Sequence, residues 1–221
     1  MHKVLENLNS IQNEIEIKIK KLNLTNYNPN IVAVTKTFPI KNIIPLINNG
    51  HIHFGENKVQ EAVEKWTEIK NDFKNIKLHM IGKLQTNKVK YTIPLFDYIH
   101  SVDNLKLAEK ISNEQIKKNK IIKSFIQINI GNENQKSGVS IDEIDSFYNK
   151  CVKDFGLNII GLMCLPPNNK KTSIYFSNMY ELANKLNLKE ISMGMSSDYL
   201  DAINYKATYL RIGSKIFGER N

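Results

Sequence analysis

Arginine and cysteine are scarce in this sequence. Only two of its 31 basic residues are arginine, and its two cysteines, Cys151 and Cys164, have neither zinc-ligand spacing nor the number of a disulfide framework. Its net charge of +9 comes from scattered lysines. Nucleic-acid readers favour arginine and concentrate their charge, so we expect no specific nucleic-acid partner. With no export signal and no disulfide framework, a reducing cytoplasm is the expected location.

Long hydrophobic runs, a leader peptide and glycine-rich nucleotide loops are also missing. No stretch approaches the roughly 20 apolar residues of a membrane helix. Residues 1–22 mix acidic and basic residues, unlike a signal or transit peptide. No G-x-G-x-x-G follows the first predicted strand, and IGKLQT (81–86) lacks the upstream glycine of a Walker loop. These absences disfavour membrane, exported, dinucleotide-binding and P-loop proteins.

What the sequence does contain is a regular alternation of short apolar strands and helical patterns. The predicted strands are 31–36, 52–54, 78–81, 98–101, 124–130, 158–163, 190–193 and 208–212. The predicted helices are 2–22, 40–49, 57–70, 85–92, 104–119, 140–153, 171–187 and 198–205. Asp103 or Asn104 is expected to cap the helix at 104–119, and Ser140 with Glu143 is expected to form a capping box.

Eight strands that alternate with helices predict a parallel sheet. In 221 residues, eight such units fit a closed barrel near the short end of its range. We therefore predict a single α/β domain over residues 1–221, a (β/α)8 TIM barrel with an extra N-terminal helix that covers the bottom of the barrel. An open, doubly wound sheet is the competing interpretation.

Polar residues at the carboxyl ends of the predicted strands should share one mouth of the barrel. Lys36 ends the first strand, directly after the buried run IVAV at 31–34. ISMGMSSD (191–198) and RIGSKIFG (211–218) place glycines and serines at two helix starts, where free N–H groups attract anions. We interpret them as a phosphate site opposite Lys36, although ordinary capping and turn chemistry explains the pattern equally well.

A lysine that faces a phosphate site suggests Schiff-base chemistry with one of two ligands. One is a sugar phosphate, as in aldolases, and the other is pyridoxal 5'-phosphate (PLP). Arg211 favours PLP, because a basic residue beside the pyridine nitrogen tunes that cofactor.

Eight segments, in order, resemble the pyridoxal phosphate homeostasis protein family, whose fold is similar to the N-terminal barrel of alanine racemase. The resemblance covers nearly all of 31–220, which makes it far more specific than a single glycine motif. The segments are AVTKTFP, HFGENKVQEA, LHMIGKLQTNK, SVDN, QINIGNENQKSG, GLMCLPP, SMGMSSDYLDAI and RIGSKIFGER.

The resemblance implies roles for single residues around PLP. Lys36 matches the lysine that forms the internal aldimine, Asn57 matches a residue of the cofactor pocket, and Arg211 matches the arginine near the pyridine nitrogen. It implies a protein of PLP (vitamin B6) homeostasis that holds the cofactor, with PLP-dependent apoenzymes as acceptors. We expect a monomer.

The phosphate-binding positions of the family are also matched. Ser196 matches the serine of the MGMS segment, and Gly213 with Ser214 match the pair that holds the phosphate. Ser214 replaces the usual threonine and keeps its hydroxyl. Two departures are Lys83 in place of a frequent proline and Phe38 in place of a frequent second lysine, which puts accessory cofactor attachment there in doubt.

We expect no catalytic residue in this chain. Racemisation requires two positioned acid–base groups, and in alanine racemase the second is a tyrosine presented with help from a β-rich domain. A sequence that ends at Asn221 leaves no room for that domain. An arginine at the pyridine nitrogen also keeps the ring unprotonated and weakens it as an electron sink. Both points predict a PLP carrier.

Other classes stay open. One is a low-activity PLP-dependent racemase or related fold-type III enzyme, with Tyr199, Tyr205 or Tyr209 near the mouth as an acid. Another is a scaffold without ligand. A metal site at His51 and His53, which would share one face of a strand, lacks a third ligand of clear geometry, so we expect no metal.

Overall fold

A computed structural model describes residues 2–133, 135–167 and 172–219. Eight parallel strands form a closed barrel in sequence order, and the last strand pairs with the first, with Val32 opposite Arg211. The predicted TIM barrel is therefore confirmed, and the open sheet is wrong. The strands are β1 Asn30–Val34, β2 His53–Glu56, β3 Lys77–Met80, β4 Tyr98–Val102, β5 Lys123–Ile128, β6 Asn158–Cys164, β7 Glu190–Met195 and β8 Tyr209–Ile212.

Helices follow the strands and form the outer layer. They are α1 Lys3–Lys21, α2 Ile40–Asn48, α3 Val59–Trp66, α4 Ile69–Asp72, α5 Val89–Leu95, α6 Leu105–Lys118, α7 Ile144–Asn149, α8 Thr172–Lys185, α9 Tyr199–Ile203 and α10 Ser214–Phe217. A short 3-10 turn, Thr86–Lys88, precedes α5, and a π-helical turn, Lys150–Asp154, continues α7. None of the described helices combines the length and the apolar character that crossing a bilayer requires.

The main core lies between the barrel and its helices. Outward-facing strand residues such as Phe54 and Leu78 pack there against buried helix residues such as Trp66. The barrel interior is different, because rings fill much of it instead of the branched aliphatic side chains that are usual in such barrels. Its buried cluster consists of Val32, Tyr98, Phe125, Met163 and Tyr209.

The N-terminal helix lies elsewhere than predicted. Instead of covering the bottom of the barrel, α1 packs in the outer layer against α2, α9 and α10. Its buried stripe is Leu8, Ile11 and Ile15, and Asn7 Nδ2 donates to the carbonyl of Ile216 in α10. The helix after β8 has only four residues, so α1 supplies the apolar face that a longer last helix would provide.

Of three local expectations, two are wrong and one is confirmed. β1 ends at Val34, before the predicted end at Lys36, because the chain turns at Lys36 and Thr37. α7 begins at Ile144, and the side chains of Ser140 and Glu143 bond to each other at 2.6 Å, so the capping box is wrong. The Asn104 cap is confirmed, since its Oδ1 accepts from the N–H of Leu107.

Candidate functional site

A cavity of about 660 Å³ opens where the carboxyl ends of the strands meet. Its volume is within the range of small-molecule sites. It is lined by every residue that the sequence singles out as cofactor-binding, which are Lys36, Asn57, Ser196, Arg211, Gly213 and Ser214. The fold thus brings together residues that are up to 178 positions apart, because they lie at the carboxyl ends of four strands, β1, β2, β7 and β8.

The turn that carries Lys36 is anchored on both sides by α3. Lys65 Nζ donates to the carbonyl of Thr35 at 2.9 Å, and the N–H of Thr37 donates to Glu61 Oε1 at 2.5 Å. Thr37 has φ of +68°, which is a strained conformation for a β-branched residue. The two anchors therefore maintain an unfavourable backbone next to Lys36.

An ionic cluster behind this turn consists of Glu56, Glu61 and Lys65. Glu56 is fully buried, and its Oε1 accepts from Thr35 Oγ1, Lys65 Nζ and Trp66 Nε1 at 2.7–2.9 Å. Lys65 also pairs with Glu61 at 2.9 Å. Burial alone would raise the Glu61 pKa, but hydrogen bonds from Lys65 and from the Thr37 N–H outweigh it and lower the pKa.

Arg211 reaches the cavity from inside the barrel. Its Nη1 donates to Ser192 Oγ at 2.6 Å and its Nη2 donates to the carbonyl of Cys164 at 2.8 Å. The side chain is buried, and burial lowers its pKa. Within the described ranges no carboxylate lies at salt-bridge distance from the guanidinium, so neutral oxygens hold this cation.

The loops after β7 and β8 are joined through Ser196. Its Oγ accepts from the N–H groups of Gly213 at 3.2 Å and Lys215 at 3.3 Å. Asp198 accepts from the N–H of Met195 through Oδ1 at 2.6 Å. Gly194, with φ of +86°, is packed so closely that an added Cβ would lie 2.7 Å from the Ala202 Cβ. Hydroxyl and N–H groups of the kind that bind phosphate oxygens are thus gathered on one side of the cavity.

Asn57 is held from the other side of the cavity by a close backbone contact. A Cβ added to Gly82 would lie 2.3 Å from the Asn57 carbonyl oxygen, so only glycine fits there. Lys83, at the position where proline is frequent, is exposed and lines the cavity.

The histidines lie where the sequence did not place them. His51 precedes β2 and packs edge-on against Phe54, whereas His53 points into the barrel and bonds to His79. The two therefore do not share a face. His79 and His100 are fully buried below the cavity. No group of three potential metal ligands is found among the described residues.

Several other candidates are absent from the described lining of the cavity. The Tyr199 hydroxyl bonds to Glu14 and Lys215 in the outer layer, and Tyr209 lies in the interior cluster. Among the described methionines, Met195 lines the cavity, while Met163 and Met193 are core residues.

Sequence reasoning missed Gln127. It lines the cavity two residues after the inward-facing Phe125 on β5, and its Nε2 donates to the carbonyl of Ser137 at 2.9 Å. The alternation of faces along a strand would have placed both side chains inside the barrel.

Comparison with known proteins places the chain in a family. The sequence model described as the N-terminal domain of alanine racemase matches residues 7–221. A pyridoxal phosphate homeostasis protein of Haemophilus influenzae is 36% identical over 229 residues, which cover 99% of this chain and 96% of the relative. The chain belongs to the pyridoxal phosphate homeostasis protein family. The sequence resemblance is thereby confirmed.

Solved structures agree with this family assignment. PipY of Synechococcus elongatus, solved with PLP bound, is 30% identical and matches with a TM-score of 0.81 over 92% of this chain and 100% of its own. An alanine racemase of Clostridium difficile matches over 100% of this chain and 57% of its own, with a TM-score of 0.77. At 15% identity that similarity shows the fold alone.

Proposed function

We propose that this chain binds PLP in the cavity, holds it as a Schiff base on Lys36, and serves intracellular PLP homeostasis without efficient catalysis of its own. The observation that carries the proposal is the joint lining of one cavity by Lys36, Arg211 and the Ser196–Gly213–Ser214 group. The PLP-bound structure of PipY supports the choice of ligand.

The residues of the cavity fit the chemical groups of PLP. The Lys36 amine would condense with the aldehyde, with loss of one water. The guanidinium of Arg211 has donors only, so it would hydrogen-bond an unprotonated ring nitrogen. The hydroxyls of Ser196 and Ser214 would hold the phosphate, and the N–H of Gly213, which here donates to Ser196 Oγ, would exchange that acceptor for a phosphate oxygen. When bound, PLP supplies an electrophilic carbon and a conjugated ring.

Weak catalysis is expected because the cavity offers few acid–base groups beside Lys36. No tyrosine lines it within the described part of the chain. A donor that leaves the ring nitrogen unprotonated also weakens the ring as an electron sink. The alternative is a low-activity PLP-dependent racemase or related enzyme, which the barrel shared with alanine racemase favours.

The wider setting is part of the same proposal. We propose that the protein works as a monomer in the cytoplasm and exchanges PLP with PLP-dependent apoenzymes. The lysine-rich, arginine-poor composition supports a role without nucleic acid.

The test is chemical trapping. The purified protein is incubated with PLP, reduced with borohydride, and its modified lysines are mapped by mass spectrometry. Lys36→Ala should lose the single stoichiometric adduct. Lys83→Ala, which removes another lysine from the same cavity, is the matched control and should keep the adduct on Lys36.

Two results would contradict the proposal. Labelling spread over many lysines and unchanged by Lys36→Ala would reject the Schiff-base site. Racemase or transaminase turnover that depends on Lys36 and reaches about 1 s⁻¹, the lower end of ordinary enzyme rates, would reject the carrier in favour of the enzyme.

A further inference from the structure

Inside the barrel, side chains from four strands form a continuous hydrogen-bonded chain that ends on Arg211. His53 Nδ1 lies 2.9 Å from His79 Nε2, and His79 Nδ1 lies 2.9 Å from His100 Nε2. His100 Nδ1 lies 2.9 Å from Ser192 Oγ, which accepts from Arg211 Nη1 at 2.6 Å. We call His53, His79, His100 and Ser192 the histidine column.

The column requires neutral imidazoles. A neutral imidazole has one donor nitrogen and one acceptor nitrogen, while an imidazolium has two donors. His79 and His100 each use both ring nitrogens within the column. A proton added to either ring would set two donors against each other in a site with no exposure to solvent.

Arg211 determines the direction of the hydrogen bonds. The guanidinium has no acceptor, so it donates to Ser192 Oγ and leaves the serine hydrogen for another partner. Among the described residues, His100 Nδ1 is the only side-chain acceptor within reach of that hydroxyl. Ser192 therefore donates to His100. Each ring carries its hydrogen on Nε2, so His100 donates to His79 and His79 donates to His53.

This direction has an electrostatic consequence. Every acceptor lone pair of the column points toward the Arg211 end, so the aligned dipoles present their negative ends to a buried cation. Rings packed on the column limit its movement, since His79 stacks on Tyr98 at 4.1 Å and His100 on Phe125 at 4.2 Å. Arg211 is thus oriented without a carboxylate, which would otherwise draw its donors away from the cavity.

We propose that the histidine column positions Arg211 and maintains its donor toward the ring nitrogen of PLP. His53, His79, His100 and Ser192 are positioning residues, since Arg211 lines the cavity and they do not. This inference rests on the proposed function for its ligand, but the state of the column itself is a property of the cofactor-free protein.

The first measurement is made without cofactor. In ¹⁵N-histidine-labelled protein at pH 7, the nitrogen shifts of His53, His79 and His100 should all report the neutral form with hydrogen on Nε2. An imidazolium, or a hydrogen on Nδ1, at any of the three would overturn the direction derived above. This result does not depend on whether PLP binds.

The second measurement uses PLP and variants of the column. Ser192→Ala removes the side-chain acceptor of Arg211, leaves the carbonyl of Cys164, and should weaken PLP binding about tenfold, as expected for a hydrogen bond to a charged group. It should also shift the ¹⁵N resonance of the ring nitrogen in labelled PLP. Ser192→Thr, which keeps the hydroxyl, should restore both values.

Matched variants separate positioning from general damage. His100→Gln should shift the ring-nitrogen resonance of PLP in the same direction as Ser192→Ala. If that variant fails to fold, His53→Gln, at the half-buried end of the column, takes its place and should give a smaller shift in the same direction. His51→Gln changes a neighbouring histidine outside the column and should leave the resonance unchanged.

The outcomes distinguish the two proposals. If wild-type protein gives the Lys36 adduct but Ser192→Ala changes neither affinity nor the ring-nitrogen resonance, the positioning role is wrong and the proposed function stands. If wild-type protein gives no adduct, the proposed function fails, and the histidine shifts still decide whether the column exists as derived.

Discussion

The two cationic sides of the cavity are held in opposite ways. On the Lys36 side, the backbone is anchored by an ionic cluster in which two carboxylates, Glu56 and Glu61, share Lys65. On the Arg211 side, the guanidinium donates to the Ser192 hydroxyl and the Cys164 carbonyl, and the histidine column continues from Ser192. One side uses opposite charges outside the barrel, and the other uses neutral dipoles inside it.

The difference follows from where each residue lies. Lys36 follows the end of β1, and its turn is reached by α3 from the outer layer. Arg211 lies within β8 and faces a closed interior. A carboxylate there would need its own solvation and would compete for the guanidinium donors. The comparison teaches that a buried cation can be oriented by aligned neutral groups, while a strained turn is secured by charge.

The largest expected effect is on the charged side. Lys65→Met leaves the fully buried Glu56 without its counter-ion, so we expect a loss of about 3–5 kcal/mol in the free energy of unfolding. Urea denaturation measures it. Lys185→Met, which breaks the exposed pair with Asp145, is the control and should cost under about 1 kcal/mol. Equal losses in the two variants would show that the buried ionic cluster contributes no more to stability than an exposed ion pair.

The next largest effect on stability is expected from two glycines, one beside Asn57 and one on the Arg211 side of the cavity. Gly82→Ala places a Cβ 2.3 Å from the Asn57 carbonyl oxygen, and we expect a loss of about 2–3 kcal/mol because backbone must move. Gly213→Ala, on the Arg211 side, meets only an ordinary contact of 3.4 Å with Val34 and should change stability by less than about 0.5 kcal/mol. Thermal and urea unfolding of both variants measure the two losses. A larger loss in Gly213→Ala than in Gly82→Ala would contradict the packing described here.

Low pH should destabilise the protein through the three histidines on the Arg211 side. Burial lowers the pKa of His79 and His100 well below the usual value of 6.5 and lowers that of His53 to about 4. The unfolded state therefore binds more protons below pH 6.5, so the contribution is complete above that pH and is lost as the pH falls toward the folded-state pKa values.

The pH dependence has a definite size. Each neutral histidine should contribute up to about 1.4 kcal/mol per pH unit to the loss of stability between pH 6.5 and 5. The measurement is urea unfolding across this range for wild type and His79→Gln. The variant should have a slope shallower by about one proton, and parallel curves would mean that His79 titrates normally in the folded protein.

The smallest effect tests the strain beside Lys36. Thr37→Asn keeps a polar, exposed side chain and replaces a β-branched residue with one that tolerates positive φ. We expect a gain of about 0.5–1 kcal/mol in the free energy of unfolding. A loss of stability would indicate that the turn is not strained as its φ value suggests.

Much of the fold could be predicted from local pattern. Each of the eight strands was located within a few residues, because buried parallel strands are short apolar runs. The boundary of β1 was missed because neither Thr35 nor Lys36, which follow the apolar run, is a glycine or proline that would mark its end. The place of α1 was missed because an apolar stripe specifies a buried face and not its partners, which here are α2, α9 and the short α10.

Residues of the candidate site such as Lys36 and Arg211 could be predicted from the sequence, but the residues that hold them in place could not. Lys36 and Arg211 were identifiable because they end or follow strands of a recognisable family pattern. The anchors of the Lys36 turn, Glu61 and Lys65, lie on a helix and look like an ordinary i, i+4 surface pair. Only the burial of that pair against Glu56 distinguishes it from many similar pairs.

By itself, the sequence determined the βα alternation, the family and the six candidate cofactor-binding residues, since these depend on local pattern and on the order of motifs. Only the tertiary structure decided how the two cations are held. His53, His79, His100 and Ser192 lie on four different strands, and the direction of their hydrogen bonds depends on distances across the closed barrel. Such distances exist only after closure, because the barrel makes neighbours of His100 and Ser192, which are 92 positions apart.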